Sequence, residues 1–265
     1  MMRTRLPFLF LLIALAAGGP LVAAQTPRPG APAPTVSAAA GVSYQYGRLA
    51  YRQRSSGRER GVEHWSLTRN RDGSRTMRSV AMTADSQFVR DVTYTLGADR
   101  RPRDAFVRLQ LRDRLVGTGY FRTAGDQLHI TTDTADTGHT VQVVPVPPRF
   151  HVTTHAVMLD GWPFWAYDAE RGGEQALPVY NTSTRWNGTD GPLGRLETLR
   201  VRALGEETIT VPAGTFTCRH YRFESDAVPS PPSDVWVTGE DDILVRYDWG
   251  ELDLEYVLTS WVREP

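Results

Sequence analysis

The stretch Phe106-Val-Arg-Leu-Gln-Leu-Arg-Asp-Arg-Leu115 alternates apolar and polar side chains. Val107, Leu109 and Leu111 point one way and Arg108, Gln110 and Arg112 the other, the period-two signature of a strand with one wet face. The pattern recurs: Leu199, Val201 and Ala203 oppose Arg200 and Arg202, while Leu252, Leu254, Tyr256 and Leu258 oppose Asp253, Glu255, Val257 and Thr259. Strands of a buried parallel sheet would be apolar on both faces, so the alternation selects an antiparallel sheet. Turn residues fall between such runs at Asp72-Gly73, Gly125-Asp126 and Gly239 to Asp242, which reads as successive hairpins. The fold expected is all-β and mainly antiparallel, a curved sheet or open β-barrel.

One segment departs from the alternation, Asp160-Gly-Trp-Pro-Phe-Trp-Ala-Tyr-Asp-Ala-Glu-Arg-Gly-Gly173. Pro163 suits a first helical position and Gly172-Gly173 a stop, so a short helix from Pro163 to Arg171 is expected as a lid on the sheet. Its rings, Trp162, Phe164, Trp165 and Tyr167, can either plug the core or form the lip of a cavity left by an incompletely filled barrel. In the second case they are candidate ligand-binding residues.

Outward from this β-rich region, residues 41–265 read as a single domain, because no linker-like composition interrupts them. Residues 25–40 are rich in Pro, Ala, Gly, Ser and Thr and read as a flexible linker. Residues 1–24 read as a signal peptide: Arg3 and Arg5 precede an apolar run from Leu6 to Ala17, and Val22-Ala-Ala24 supplies small residues for cleavage before Gln25. A run of that length is short of the roughly 20 residues that span a bilayer. The expectation is a periplasmic or secreted protein that does not span the membrane once the leader is removed.

The whole chain balances 30 basic against 30 acidic residues, and loss of the leader shifts this to −2. Such a balance disfavours a general nucleic-acid partner, which needs surplus cations. All the cations are Arg. Arg48, Arg52, Arg54, Arg58 and Arg60 lie close together, and Arg52 and Arg54 are candidates to dock an anionic head group, against the alternative of a solvated strand face.

No local signature of a hydrolase, zinc protease, phosphate loop or dinucleotide site is present, and no cofactor is called for. His151 and His155 sit among β-branched residues, where a strand would hold them about 13 Å apart, too far to share a metal. Cys218 and His220 alternate onto one strand face but lack a recognisable third group, and a cysteine packed as a small hydrophobe is the alternative. Glu240-Asp-Asp242 could be a calcium loop or a solvated hairpin turn. No catalytic or metal-ligating residue is therefore assigned. Asn181 and Asn187 match glycosylation sequons.

The string Thr208-Ile-Thr-Val-Pro-Ala-Gly-Thr-Phe-Thr-Cys-Arg-His-Tyr-Arg-Phe223, followed by Ser233-Asp-Val-Trp-Val237 and Asp242-Ile-Leu-Val-Arg246, resembles a group of uncharacterised bacterial envelope proteins with a VPAGTFxCxxY motif. These are similar to the LolA/LolB-type open barrels, in which a curved antiparallel sheet wraps a helical lid around an apolar cavity. The resemblance implies that fold and a lipid-like ligand, and no catalytic residues. Locally, Pro212 and Gly214 also read simply as turn geometry. Three functions follow: a periplasmic carrier of a hydrophobic or lipid-like molecule; a non-catalytic envelope assembly factor with a filled barrel that meets partner proteins; and a Cys/His-dependent hydrolase or metalloenzyme.

Overall fold

The computed structural model describes residues 41–84, 87–185, 187–226 and 231–264. The expected leader and linker lie outside them. The first half of the described chain is a meander of eight strands: β1 (Ser43–Gln53), β2 (Glu59–Arg69), β3 (Arg75–Thr83), β4 (Phe88–Leu96), β5 (Pro102–Leu111), β6 (Arg114–Ala124), β7 (Gln127–Thr134) and β8 (Gly138–Pro145). A short strand β9 (His151–Thr153) then leads into a 3-10 segment, Val157–Ala166. The second half comprises β10 (Glu174–Asn181), β11 (Arg195–Val211), β12 (Gly214–Ser225), β13 (Ser233–Thr238), β14 (Ile243–Trp249) and β15 (Leu254–Glu264).

All fifteen strands belong to one sheet, ordered β8-β7-β6-β5-β4-β3-β2-β1-β15-β14-β13-β12-β11-β10-β9. Every neighbouring pair is antiparallel except β9 with β10. Two meanders are thus joined through the first and last strands, with ten residue pairs between Tyr44↔Glu264 and Gln53↔Leu254. The sheet has two ends, β8 and β9, and is an open curved sheet rather than a hydrogen-bonded cylinder.

Alternation directs one face of each strand inward. In β4, Phe88, Arg90, Val92, Tyr94 and Leu96 are buried while the intervening residues are half-exposed. The inward rings make one continuous core, and burying each large side chain contributes roughly 1.5–3 kcal/mol. Side chains bring the two ends of the sheet together. Phe121 of β6 lies 5.7 Å from Tyr180 of β10, and the Tyr180 hydroxyl donates to Gln142 of β8 at 3.1 Å. Pro192 sits against β6, where a Cβ on Gly117 or Gly119 would come within 2.9 or 2.8 Å of its ring. Those two glycines allow the β10–β11 connection to close onto β6.

Two local expectations are corrected. Phe106 to Leu115 is two strands, because Arg112 turns at φ +57 and starts a hairpin with Asp113. A non-glycine residue in the left-handed region gives little warning in sequence, whereas Gly125 at φ +59 occupies the expected turn position. The helix is a 3-10 segment that begins at Val157 and ends at Ala166, not one from Pro163 to Arg171. Pro163 lies inside it, where it removes a hydrogen-bond donor and keeps the element short.

Candidate functional site

A cavity of about 240 Å³ lies between the 3-10 segment and the inward face of the curled sheet. The first strands supply Tyr51, Arg52, Arg60 and Phe88; the far strands supply Leu199, Phe223, Tyr247 and Tyr256; His155, Val157, Asp160 and Pro163 close it from the segment and the turn before it. Asn181 and Asn187 lie at the β10 side.

The wall is set from behind by Glu63. On β2, Glu63, Trp65 and Leu67 share the inward face, so a carboxylate occupies a core position. It accepts hydrogen bonds from Tyr51 Oη at 2.6 Å, Ser79 Oγ at 2.6 Å, Val157 N at 2.9 Å and Met158 N at 3.2 Å. The last two bonds tie the start of the 3-10 segment to β2, because N–H groups at a helix start lack internal partners. Burial raises the carboxyl's pKa, and the four donors act against that rise.

Asp160, one turn further on, lies deep in the molecule but keeps some accessible surface, which is the cavity wall. Burial, and then the nearby charge of Glu63, push its pKa well above the ordinary carboxylate value, with Arg90 acting the other way. Two carboxyls in one environment thus divide: Glu63 is held by four donors, and Asp160 favours its neutral acid.

On the other side of the cavity, Arg90 is an inward cation on β4. It donates to the carbonyl of His155 at 2.9 Å and to that of Gly188, and burial lowers its pKa to about 10. The amide Nδ2 of Asn181 donates to Glu197 Oε2 at 3.1 Å, so its Oδ1 accepts from His155 Nε2 at 2.6 Å. Burial, and then Arg90, lower the His155 pKa to about 3. His151 belongs to a separate pair, with the Tyr94 hydroxyl 3.1 Å from Nδ1, and burial lowers its pKa to about 3 as well. The two histidines do not share a strand, since β9 ends at Thr153.

The expected site residues are placed unevenly. Arg52 lines the cavity; Arg54 does not, and its Nη1 lies 3.4 Å from Asp248 Oδ1. Trp162 and Phe164 are core side chains: Trp162 Nε1 donates to the Asp241 carbonyl at 3.0 Å, and Phe164 stacks on Tyr221 at 4.6 Å. Tyr167 packs on Tyr221 and donates to the Gly173 carbonyl at 2.7 Å, while Trp165 is half-buried. Trp162, Phe164 and Tyr167 plug the core beside the cavity, and their neighbours Asp160 and Pro163 form its wall.

The remaining candidates have structural explanations. The Cys218 thiol is buried, its pKa pushed up to about 11 by burial and then by Glu207. His220 bonds Asp234 at 2.8 Å and stacks on Trp236. Asp241 and Asp242 are not a solvated turn: both are buried and clasped by arginines, Asp241 by Arg69 and Arg75, Asp242 by Arg100 and Arg219. Among the described residues no three His, Cys, Asp or Glu side chains are disposed to hold a metal ion.

The sequence matches no protein-family model and no curated protein. In fold, the chain is similar to the crystal structure of a β-barrel-like protein of domain of unknown function DUF1849 from Brucella abortus, with a TM-score of 0.50 and 12% identity over 84% of this chain and 98% of that one. The architecture is that of a β-barrel-like protein. A "putative lipoprotein" from Parabacteroides distasonis aligns at a TM-score of 0.30 and 12% identity over 83% of this chain and 95% of that one. The first likeness concerns the fold alone, and the second is too distant to carry an argument.

Proposed function

We propose that this is a secreted, periplasmic binding protein of the cell envelope that holds a small amphipathic, lipid-like molecule in the cavity beneath the 3-10 segment. The observation that carries this reading is a cavity of about 240 Å³, partly open to solvent, whose wall combines apolar side chains with an Asp160 carboxyl that takes no hydrogen bond from any described residue. A void inside a domain core forfeits packing energy, and a polar group left on its wall adds to that loss; a ligand restores both. The volume is at the small end of ligand pockets, which run from roughly 300 Å³ upward. It suits a head group with a short apolar stretch rather than a whole diacyl lipid. Kinship with LolA/LolB-type carriers is part of the same proposal, supported by the motif around Val211 to Tyr221 and by the open curved sheet.

Native mass spectrometry of protein purified from periplasm tests the reading. A retained small-molecule mass that disappears in Leu199→Trp, which fills the cavity, is the expected result; an apo mass under gentle conditions, unchanged on adding short-chain amphiphiles, refutes it. One observation favours the assembly-factor reading as a second choice: among the described residues β8 has no strand on its outer edge, and its Val141 and Val143 are 65% and 50% exposed, as a strand-adding partner would need. Val141→Lys with Val143→Lys would then abolish co-purification of envelope proteins while leaving ligand retention intact.

A further inference from the structure

Charged side chains that reach the interior of this sheet are, with few exceptions, matched within it. Glu63 has its four donors, Arg90 its two carbonyls, and Glu197 accepts from Asn181 and from Ser225 Oγ at 3.1 Å. Asp241 and Asp242 are held by four arginines. Two groups on the cavity wall are exceptions. Among the described residues the Arg52 side chain has no ion pair or hydrogen bond, and the Asp160 carboxyl has no hydrogen bond. One is a guanidinium and the other a carboxyl; they line the same cavity and do not pair with each other.

The side chains around them narrow the ligand further. Tyr51 and Tyr256 meet edge to face at 4.6 Å, and Tyr247 lies 5.3 Å from Tyr256 at an interplanar angle of 51°. All three line the cavity, and Asp160 lies within electrostatic reach of Tyr51 and Tyr247. Aromatic rings on a cavity wall that also carries a carboxyl favour a cation, including a quaternary ammonium that can donate no hydrogen bond. At Arg52 the requirement is opposite, since an unmatched guanidinium favours carboxylate or phosphate. A neutral sugar gives the Arg52 guanidinium no counter-charge, a simple anion leaves the Asp160 carboxyl without a cationic partner, and a simple cation leaves Arg52 unmatched.

Building on the binding role set out above, we propose that the cavity selects a zwitterionic head group, with an amine or quaternary ammonium seated at Asp160 among Tyr51, Tyr247 and Tyr256 and a phosphate or carboxylate at Arg52. In the empty site burial and Glu63 favour the protonated form of Asp160; an arriving ammonium favours the carboxylate, and the proton leaves to solvent.

Four probes with the same six-carbon chain separate the possibilities by calorimetry: hexylphosphocholine, hexyl phosphate, hexyltrimethylammonium and hexyl glucoside. Hexylphosphocholine is expected to bind about tenfold or more tighter than each of the others, the difference made by one additional charged contact. Asp160→Asn is expected to weaken hexylphosphocholine and hexyltrimethylammonium about tenfold and to spare hexyl phosphate; Arg52→Gln is expected to weaken hexylphosphocholine and hexyl phosphate and spare the cation. Equal or tighter binding of the glucoside or of either singly charged probe to the unmodified protein overturns the zwitterion assignment while leaving the binding role standing. Failure of all four to bind removes both. The head-group ranking needs no variant, so it decides the question even if a substitution impairs folding.

Discussion

Glu63→Gln is the most informative single change to this protein's interior. Whichever way the amide is placed, its NH₂ faces a backbone donor: Met158 N if it replaces Oε1, Val157 N if it replaces Oε2. The Tyr51 and Ser79 hydroxyls can rotate to accept instead of donate, but a backbone N–H cannot. One buried donor is therefore stranded, at a cost of about 1–3 kcal/mol, and relief of the carboxylate's own burial offsets part of that. A net destabilisation of about 2 kcal/mol is expected. Urea unfolding followed by tryptophan fluorescence should show a lower midpoint at unchanged slope, and hydrogen exchange should accelerate at Val157 and Met158, because these two amides tether the 3-10 segment. The same substitution removes the second-largest contribution to the raised Asp160 pKa, so carboxyl NMR should show Asp160 titrating at lower pH than in the unmodified protein. A variant as stable as the wild type, with Asp160 unmoved, would mean that Glu63 is itself protonated and donates one of its bonds, and the division of roles between the two carboxyls would fall.

The other predictions are independent of this one. His151 titrates near 6.5 when unfolded but at about 3 when folded; its stabilising contribution is complete above pH 6.5 and is lost as the pH falls towards 3, by up to about 1.4 kcal/mol per pH unit. His151→Gln should therefore be relatively less harmful at pH 4.5 than at pH 7.5, and a constant difference in unfolding free energy between the two pH values would contradict the burial of a neutral imidazole. Gly194→Ala would place a Cβ 1.7 Å from the Asn181 carbonyl oxygen; displacement of the β10–β11 connection should lower the Tm by several degrees, and an unchanged melting curve would refute that packing. Cys218, with its thiol near 11, should react with a disulfide reagent at pH 8 only after denaturant is added; rapid labelling of the native protein would count against its burial.

The strand content was legible because alternation is a direct image of one wet face and one dry face, and β4 reproduces it without interruption from Phe88 to Leu96. The Val211 to Gly214 turn was legible for the same local reason: Pro212 and Ala213 form it, and Gly214 follows at φ +139. What sequence reasoning missed are the charges on the dry face. Glu63 shares its face with Trp65 and Leu67, Arg90 with Phe88 and Val92, and Glu197 with Leu199 and Val201. Each breaks an otherwise apolar period-two row, a signal that could have been read. Their partners could not, because Val157 lies 94 positions from Glu63 and Gly188 lies 98 from Arg90. The aromatic segment was singled out for its rings, yet the cavity wall it supplies is Asp160 and Pro163, and composition alone does not reveal which residues of a 3-10 turn face inward.

Finally, the two ends of the sheet meet through rings, a side-chain amide and a proline resting on bare glycine backbone, with no ladder of main-chain bonds between β8 and β10. A ladder is cooperative, so parting it means breaking many bonds at once, whereas a join of this kind yields one rotamer at a time. The circumference of the structure is consequently set there by side-chain contacts and not by a ladder. Under the binding role proposed above, a guest bulkier than the resting hollow would be admitted by slackening of that join, with every strand pairing elsewhere left in register.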